Sequence, residues 1–491
     1  MTTRTPPTDP GEADVEPGAD LVTRLVRTVV PLLMVVGVVA NLLRNASLPI
    51  ANADVFFHLR FGEEFLSGAW RPWHPGHISS FEHNRWVPTQ WSTEIVLAWL
   101  ERHFGLPGVA WLQGVLFVSL ALLAYVVARR ETSTLVAAVI MAFTMLALGP
   151  NLSMRPQTVS FVLQALVVVA WLRARRTGRP PWALIPVTWV WATVHGFWPV
   201  GVATGLVAAV GIAADRSTGA RDVARRLLPL ALVPVAQLVA AGLTPVGPRL
   251  YAAALLVGSR GHYLPEWSPP DFTSYGPAAL LAIVVITLVA ALRCDRLSWF
   301  EVLMLVAVLG LSVYSQRTVA LAMVTLVPFA ATSLERMLRT RAAVGRAEVV
   351  TIAAAVAVGL TVFTAVVPHT AARPHPTPAW VSSELSGLPR GTPILGDVAF
   401  GGYVLWRYPQ LDVVPHGYFD VYTDRELAAI DAMTRMAPGW DRTVVATGAR
   451  VAFLAPDSSL AYGLAHEKGW SVVHRSEHLE MLRAPADWPS T

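Results

Sequence analysis

Charged side chains are scarce in this sequence: they make up 14% of its 491 residues, whereas hydrophobic residues make up 54%. A soluble globular chain has about 25% charged residues, so this composition excludes an ordinary soluble enzyme. The mean hydropathy is +0.48, and the apolar residues fall in runs along most of the chain. The sequence therefore predicts a polytopic membrane protein.

Cysteine and lysine are almost absent. The single cysteine, Cys294, excludes an intramolecular disulfide, so any domain outside the membrane must be held together by packing. Lys468 is the one lysine among 38 basic residues, and the arginines lie between apolar runs rather than in one patch. The net charge of +5 therefore does not indicate a nucleic acid partner.

Eleven apolar runs approach the length of about 20 residues that crossing the hydrocarbon layer requires. They lie at 27–43, 107–128, 132–149, 156–172, 182–194, 197–214, 227–245, 276–292, 298–314, 318–334 and 348–367. The run at 182–194 is short and Pro199 follows it closely, so this region is either a helical hairpin or a broken helix.

Arginine is distributed unevenly between the two ends of these runs. If the N-terminus is inside, the short cytoplasmic loops carry sixteen arginines and the opposite short loops carry four: Arg155, Arg249, Arg260 and Arg317. This bias follows the positive-inside rule. With an odd number of spans, it predicts a multi-pass plasma-membrane protein with a disordered cytoplasmic tail at 1–24 and an extracytoplasmic C-terminal segment.

The first run has a second interpretation, as the apolar part of a cleaved secretory signal. Ala51-Asn52-Ala53 has the form of a cleavage site. However, a tail of more than twenty residues precedes the run, and the run is longer than the apolar part of a typical signal. We therefore interpret it as a retained span.

Two segments do not follow the pattern of spans. One lies within the transmembrane region 25–367 and the other follows it. The external loop at 44–106 is long and rich in tryptophan, histidine, proline and acidic residues. The segment 368–491 is less apolar and alternates strand-like runs with helical stretches, which predicts a small α/β domain. The strand-like runs are 393–396, 411–414, 450–455, 471–474 and 479–482, and the helical stretches are 400–407, 424–435 and 457–467.

Asp54 and His58 are four residues apart directly after the first span, so a helix would place them on one face. A carboxylate and an imidazole in this arrangement can share a metal ion, or one can orient the other as a general base. The same residues suit an interfacial helix with Asp54 as its N-cap. Position alone leaves both interpretations open.

Further polar residues recur at the external membrane edge. Glu94 opens an apolar helix shortly after Gln90 and Trp91, where a carboxylate is either a helix-start charge or a site residue. Successive external turns carry Arg155, His195, Glu266 and Arg317. Because charge at membrane depth is costly, these turns predict one external cavity at the membrane surface.

The tail also offers polar and aromatic candidates. Asp397, Tyr418, Asp420 and Tyr422 suit an acceptor groove, since aromatic residues beside acids suit sugars. Each of them equally suits a turn or a strand end, and we favour that interpretation for any one of them.

The order of these motifs resembles that of a known superfamily. Asp54-x-x-x-His58-Leu59-x-x-Gly62, then Trp86-Val87 and Gln90-Trp91-x-x-Glu94, resembles the first external loop of bacterial, actinobacterial-type GT-C membrane glycosyltransferases. The similarity continues at Arg155-Pro156-Gln157, at 191–196, at 243–247, at Glu266-Trp267, and in the tail at 401–406 and Trp440.

The resemblance implies a mainly α, GT-C-like fold with about eleven transmembrane helices and a small extracytoplasmic α/β domain. It implies an inverting transferase that takes a sugar from a polyprenyl-phosphate donor to a glycan, lipid or protein acceptor of the cell envelope. Asp54 matches the general base. Because members of the superfamily differ in metal dependence, it leaves open whether a divalent cation, Mg²⁺ or Mn²⁺, takes part.

The other candidate residues take their roles from the same resemblance. His58 or Glu94 would orient Asp54 or hold the cation. Arg155 and Arg317 would stabilise the phosphate. Gln90, Trp91, His195 and Glu266 complete the expected substrate-binding set.

The sequence departs from the superfamily pattern in two places. Many relatives carry a second acid beside the loop aspartate, where this chain has Asn52 and Ala53, and His416-Gly417-Tyr418 replaces an Asp-Gly-Arg-like segment. These departures leave room for a non-catalytic assembly protein. A transporter of lipid-linked sugars is a third hypothesis, but we see neither the repeat-related halves nor the midplane polar groups that transporters usually show.

Overall fold

The structure, a computed structural model, describes residues 17–50, 52–293, 297–372 and 377–489. Cys294, Ala51 of the cleavage-site motif, and residues 1–16 of the predicted tail lie outside these ranges. The chain consists of a helical bundle followed by a small domain with a five-stranded sheet.

The bundle is built from helices that alternate in direction between two faces. In chain order they are α1 (Pro17–Ala46), α2 (Asp54–Leu66), α3 (Trp91–Arg129), α4 (Thr134–Leu148), α5 (Pro156–Thr177), α6 (Leu184–Val194), α7 (Trp198–Asp215), α8 (Ala220–Gly242), α9 (Arg249–Ser259), α10 (Tyr275–Arg293), α11 (Trp299–Tyr314), α12 (Thr318–Leu338) and α13 (Arg346–Thr370).

All eleven predicted apolar runs coincide with helices. Within the described ranges, nine helices are long and apolar enough to cross a membrane by length and composition, and α6 and α11 are shorter apolar helices. The region around 182–194 is a helical hairpin, because α6 ends at His195, α7 begins at Trp198, and the far end of α7 returns to the end of α5, where Arg216 donates to the carbonyl of Arg175. Helix α1 begins at Pro17, ten residues before the predicted run at 27–43.

Helix α12 occupies the centre of the bundle. Nearly all of its residues from Thr318 to Leu334 are buried, and it contacts α3, α4, α5, α10 and α11. A helix that is apolar on every side is stable only when other elements surround it, and this sequence is apolar throughout that stretch. The turn before α12 is thereby held in the middle of one bundle face.

The predicted external loop at 44–106 contains two helical segments. Amphipathic α2 starts at Asp54, and α3 starts at Trp91, earlier than the run predicted to begin at 107. Gly105, with φ of +65°, marks a kink inside α3 just before Pro107. Glycine and proline both interrupt regular helices, and here the helix continues on either side of the kink.

Helix α2 packs closely on the first part of α3. A Cβ atom on Gly62 would clash with the backbone carbonyl of Glu94 and approach the side chain of Ala98 within 2.9 Å. Glycine therefore permits the two helices to approach at this point.

The C-terminal domain confirms the predicted α/β alternation. Its elements are α14 (Ala379–Ser386), β1 (Pro393–Gly396), α15 (Val398–Arg407), β2 (Asp412–Val414), α16 (Asp424–Thr434), α17 (Trp440–Ala446), β3 (Val451–Leu454), α18 (Ser459–Tyr462), β4 (Ser471–Arg475) and β5 (Glu480–Arg483). The sheet order is β2-β1-β3-β5-β4, with β1 parallel to β2 and β3, and β5 antiparallel to β3 and β4. The short helices α14 and α17 were not predicted.

The C-terminal domain is joined to the bundle through α2 and the segment that follows it. His416 and Glu82 are both fully buried, and His416 Nε2 lies 2.7 Å from Glu82 Oε1. The Tyr418 ring meets that of Phe61 edge to face, with centroids 4.6 Å apart. Asn84 donates its backbone N–H to the carbonyl of Val421 at 3.0 Å. These contacts fix residues 416–421 against the face of the bundle where Asp54 lies.

Candidate active site

A cavity of about 440 Å³ lies where the turns of one bundle face, α2 and the C-terminal domain meet. Of the nine side chains that the sequence proposes, seven line this cavity: Asp54, His58, Gln90, Arg155, His195, Glu266 and Arg317. They come from positions far apart in the chain, and the alternating directions of the helices bring them to one face.

Asp54 is placed by its position at the first turn of α2. Its backbone N–H donates to Asn52 Oδ1 at 2.9 Å, so the residue that replaces a second acid helps to hold the start of the helix. Gly417 lies directly opposite: a Cβ atom there would stand 3.4 Å from Asp54 Oδ1 and 3.1 Å from the Phe57 ring. Burial raises the pKa of Asp54 above its ordinary value, and the charge of Arg155 opposes this rise.

Four charged side chains form a continuous ionic chain in the cavity wall. Arg155 Nη2 lies 3.1 Å from Asp54 Oδ2, and Arg155 also donates to both oxygens of Glu266, at 2.5 and 3.0 Å. Glu266 in turn accepts from Nε of Arg317. Burial opposes ionisation of Glu266, but Arg317 and Arg155 outweigh it and lower its pKa to about 2. The two guanidiniums are therefore already engaged with carboxylates.

Arg260 is a third guanidinium in the same wall and was not among the proposed site residues. Its Nε donates to Asp424 Oδ1 at 2.8 Å, but Nη1 is buried and has no hydrogen-bond partner in the described part of the chain. The side chain is only 9% exposed. A buried N–H group without a partner is costly, so this nitrogen is suited to an anionic ligand. The sequence did contain a signal for Arg260, because it is one of the four arginines in the short loops predicted to be external.

His58 and Glu94 form a pair behind Asp54. His58 Nδ1 lies 3.0 Å from Glu94 Oε1, and Glu94 is completely buried. Burial, followed by the charge of Arg155, holds the pKa of His58 well below its usual value, so the ring is neutral. If Nδ1 carries the proton and donates to Glu94, Nε2 is an acceptor. Glu94 therefore positions His58 and does not itself line the cavity.

Trp91 is the second proposed residue that the structure does not bring into the cavity wall. It packs instead against both the core of the bundle and the core that the C-terminal domain shares with α2. Its contribution is therefore to packing between these two parts of the molecule.

His195 is held by the turn between α6 and α7. Its Nδ1 accepts from the backbone N–H of Phe197 at 3.3 Å and lies 3.2 Å from Ser160 Oγ, which itself accepts from the Trp191 indole. Burial, with the charges of Arg317 and Arg155, keeps its pKa well below the usual value. A neutral ring that accepts at Nδ1 carries its proton on Nε2, so His195 offers the cavity a neutral donor.

The C-terminal domain contributes Tyr418 and Asp420 to the cavity wall, but neither Asp397 nor Tyr422. Burial raises the pKa of Asp420, with Arg260 and Arg317 opposing the rise. Tyr422 is fully buried, and its hydroxyl accepts from the backbone N–H of His416 at 3.1 Å. Tyr418 and Asp420 lie at a single 3₁₀ turn, as the turn interpretation predicts, and they also line the cavity. An acceptor groove at these residues stays a prediction.

The cavity residues do not suit a divalent cation. No group of three or more histidine, cysteine, aspartate or glutamate side chains that could hold a metal was found in the described ranges. Mg²⁺ and Mn²⁺ require several oxygen ligands around the ion. Here the Arg155 guanidinium lies between the carboxylates of Asp54 and Glu266 and takes hydrogen-bonding positions that a cation would need.

A similar fold occurs in the crystal structure of an oligosaccharyltransferase from Archaeoglobus fulgidus in the apo form. The match has a TM-score of 0.50 at 10% sequence identity and covers 86% of this chain and 69% of that chain. No protein-family model matches the sequence, and neither does any protein with a curated description. At this identity the likeness shows the fold. The chain therefore has a mainly helical, GT-C-like fold with a small C-terminal sheet.

Proposed function

We propose that this protein is a multi-pass membrane glycosyltransferase that transfers a sugar from a polyprenyl-phosphate donor to a cell-envelope acceptor. The reaction takes place at the extracytoplasmic face of the bacterial plasma membrane and inverts the anomeric centre. The acceptor is a glycan, a lipid or a protein. The fold is shared with an enzyme named as an oligosaccharyltransferase, which supports this class of reaction.

The observation that carries the proposal is the placement of Asp54. Its carboxylate lines a cavity at the bundle face, lies against Gly417 of the C-terminal domain, and has a pKa that burial raises. A raised pKa makes the ionised carboxylate a stronger proton acceptor. A general base must reach the hydroxyl that it deprotonates, and an acceptor bound between α2 and the C-terminal domain would meet this requirement.

The cavity offers a group for each step of an inverting transfer. The acceptor hydroxyl oxygen attacks the anomeric carbon while Asp54 takes its proton. The bond from that carbon to the phosphate oxygen breaks, and the electron pair leaves with the phosphate. Positive charge fixed beside the leaving oxygen stabilises the transition state.

We assign the phosphate contact to Arg260 in preference to Arg155 and Arg317. The last two share the carboxylate of Glu266, and Arg155 also contacts Asp54. Arg260 retains a buried Nη1 that has no partner in the part of the chain that the structure describes. The Nε2–H of neutral His195 is an additional donor in the same cavity. Arg155 then acts chiefly on Asp54, whose orientation it fixes.

Asp54→Asn tests the proposal. The variant keeps the size of the side chain but cannot accept the acceptor proton, so we expect loss of transfer by at least about a hundredfold, which is typical of a general base. Purified protein in lipid would be given radiolabelled polyprenyl-phosphate sugars and extracted envelope acceptor. Asp431→Asn, on the partly exposed surface of α16, is the matched control. Equal transfer by wild type and Asp54→Asn would overturn the proposed mechanism.

The ion pair between Asp54 and Arg155 favours a second hypothesis, a non-catalytic assembly protein. A carboxylate bound to a guanidinium at 3.1 Å can serve to hold the turn before α5 against α2. Under this hypothesis none of the radiolabelled polyprenyl-phosphate sugars is consumed, while the folded wild-type protein copurifies with an envelope component. Consumption of any donor by wild type excludes it.

A further inference from the structure

A second cavity, of about 180 Å³, lies at the opposite end of the bundle from the proposed active site. It is formed where the ends of α3 and α5 meet α12 and the start of α11. We call it the arginine cavity, because four arginines line it: Arg130, Arg175, Arg176 and Arg336. Two glutamates, Glu131 and Glu301, are its acidic residues, so positive charge is in excess.

Part of this positive charge is not neutralised within the chain. Arg130 is exposed and makes no ion pair or hydrogen bond through its side chain in the described residues. Arg176 lies 3.6 Å from Glu131, which is too long for a hydrogen bond, so N–H groups of Arg176 are available to a ligand. Arg175 and Arg336 differ. Arg175 donates to Ser298 Oγ at 2.8 Å and lies 3.6 Å from Asp215, and Arg336 donates to Glu301 at 2.6 Å.

An apolar crevice of about 20 Å³ adjoins the arginine cavity. Val127, Val169 and Pro328 belong to the walls of both. The rest of the crevice is formed by apolar side chains of α3, α4, α5 and α12, apart from Thr144, whose hydroxyl donates to the backbone of its own helix. A ligand that filled both spaces would need an anionic group joined to a small apolar group, such as the first carbons of a hydrocarbon chain.

We propose that this site binds an anionic phospholipid, with its phosphate among the arginines and the start of one acyl chain in the crevice. Guanidinium groups bind phosphate through paired, charge-assisted hydrogen bonds. Basic pockets between helices at the cytoplasmic side of membrane proteins suit anionic headgroups. A free phosphate ion would satisfy the arginines but leave the crevice unused, which is why the lipid is the favoured source of the phosphate.

The full-length protein in a neutral detergent tests this proposal. Phosphatidylglycerol, phosphatidylcholine and inorganic phosphate would each be titrated, with native mass spectrometry counting bound molecules and a thermal unfolding curve recorded for each condition. Wild type should retain phosphatidylglycerol and unfold at a higher temperature with it than with phosphatidylcholine. If inorganic phosphate gives the same stabilisation as phosphatidylglycerol, the lipid assignment is overturned.

Matched variants locate the binding. Arg130→Gln combined with Arg176→Gln removes two guanidiniums from the arginine cavity and should weaken phosphatidylglycerol binding about tenfold or more, as loss of about 1.4 kcal/mol would. Arg179→Gln combined with Arg225→Gln removes the same charge from exposed positions outside this cavity and should not. Equal loss in both pairs would mean general attraction to the basic face and would overturn the site.

The single variant Arg130→Glu separates loss of lipid binding from misfolding. Because the Arg130 side chain makes no polar contact in the described chain, its replacement removes none. We expect this variant to unfold like wild type in phosphatidylcholine but to lose the stabilisation by phosphatidylglycerol. Retention of the full stabilisation would contradict the proposal.

Discussion

Arg260 and Arg249 are both arginines of the same predicted external region, but their surroundings differ. Arg260 is buried and its Nη1 has no partner among the described residues, whereas Arg249 is exposed and donates to the carbonyl of Trp73 at 2.7 Å. Arg260→Gln should lower kcat/KM for the lipid-linked donor about ten- to a hundredfold, the effect of losing a hydrogen bond to a charged group. Arg249→Gln is the control. Equal kinetics in the two variants would remove Arg260 from the phosphate site.

The lowered pKa values of the two cavity histidines lead us to expect that the stability of the protein depends on pH. His58 and His195 have pKa values well below the usual 6.5, with burial as the first cause and nearby arginines as the second. Below pH 6.5 the unfolded chain binds protons at these positions and the native chain does not. Stability is therefore full above pH 6.5 and falls as the pH is lowered, by up to about 1.4 kcal/mol per pH unit for each histidine.

His195→Asn should reduce this slope. Thermal unfolding would be followed between pH 7.5 and 5, with His478→Asn as the control because that side chain is 82% exposed. We expect wild type and His478→Asn to lose stability in parallel and His195→Asn to lose less. Parallel curves for all three proteins would show that His195 becomes protonated in the native state.

The sequence predicts which residues line the cavity better than it predicts which of their side chains are in contact. Helical spacing brings Asp54 and His58 to one face, and the distribution of charge places Arg155, Glu266 and Arg317 at one end of the bundle. Which carboxylate meets which guanidinium depends on the packing of turns that are far apart in the chain. For that reason the engagement of Arg155 and Arg317 by Glu266, and the free nitrogen of Arg260, became visible only in the structure.

At the scale of single elements, α2 depends on its glycine. A methyl group at Gly62 would clash with the backbone of α3 at Glu94, so Gly62→Ala should cost about 1–3 kcal/mol of stability, as overpacking does. Gly37→Ala in α1 is the control, since a Cβ atom there meets nothing within 4 Å. Unfolding midpoints in detergent would compare the two. Similar midpoints would mean that α2 moves away from α3 without cost.

The sequence predicts the ends of helices and strands well where the hydrophobic pattern determines them. Each strand of the C-terminal sheet lies within about two residues of its predicted run, because short apolar segments between turns are typical of strands. The run at 107–128 and the apolar helix predicted to open at Glu94 are one helix, α3, which continues on both sides of the kink at Gly105. The short helices α14 and α17 were missed because one or two helical turns carry little periodic signal.

At the scale of the whole molecule, the buried pair of Glu82 and His416 joins the C-terminal domain to the segment after α2. Glu82→Ala leaves the imidazole without its partner and should cost about 1–3 kcal/mol. Hydrogen exchange over residues 411–422 should become faster, and sugar transfer slower, because Tyr418 and Asp420 leave the cavity wall.

Glu384→Ala is the control for this change. Glu384 pairs with His474 at 3.1 Å inside the C-terminal domain, so its loss should not release the domain from the bundle. Faster exchange at 411–422 in both variants would indicate that the domain itself had loosened. Unchanged exchange in Glu82→Ala would show that the aromatic contacts around Phe61 hold the domain without the ion pair.

The cavity joins Asp54, near the beginning of the chain, to Gly417 and Asp420, near its end. A ribosome must therefore synthesise the chain through Leu427, and the membrane insertion machinery must place the helices of the bundle, before the cavity has all its walls. A partly translated chain already carries the proposed base but has nothing to enclose an acceptor beside it. Under the proposed function, unfinished copies waiting in the membrane would leave the cell's pool of activated sugar untouched.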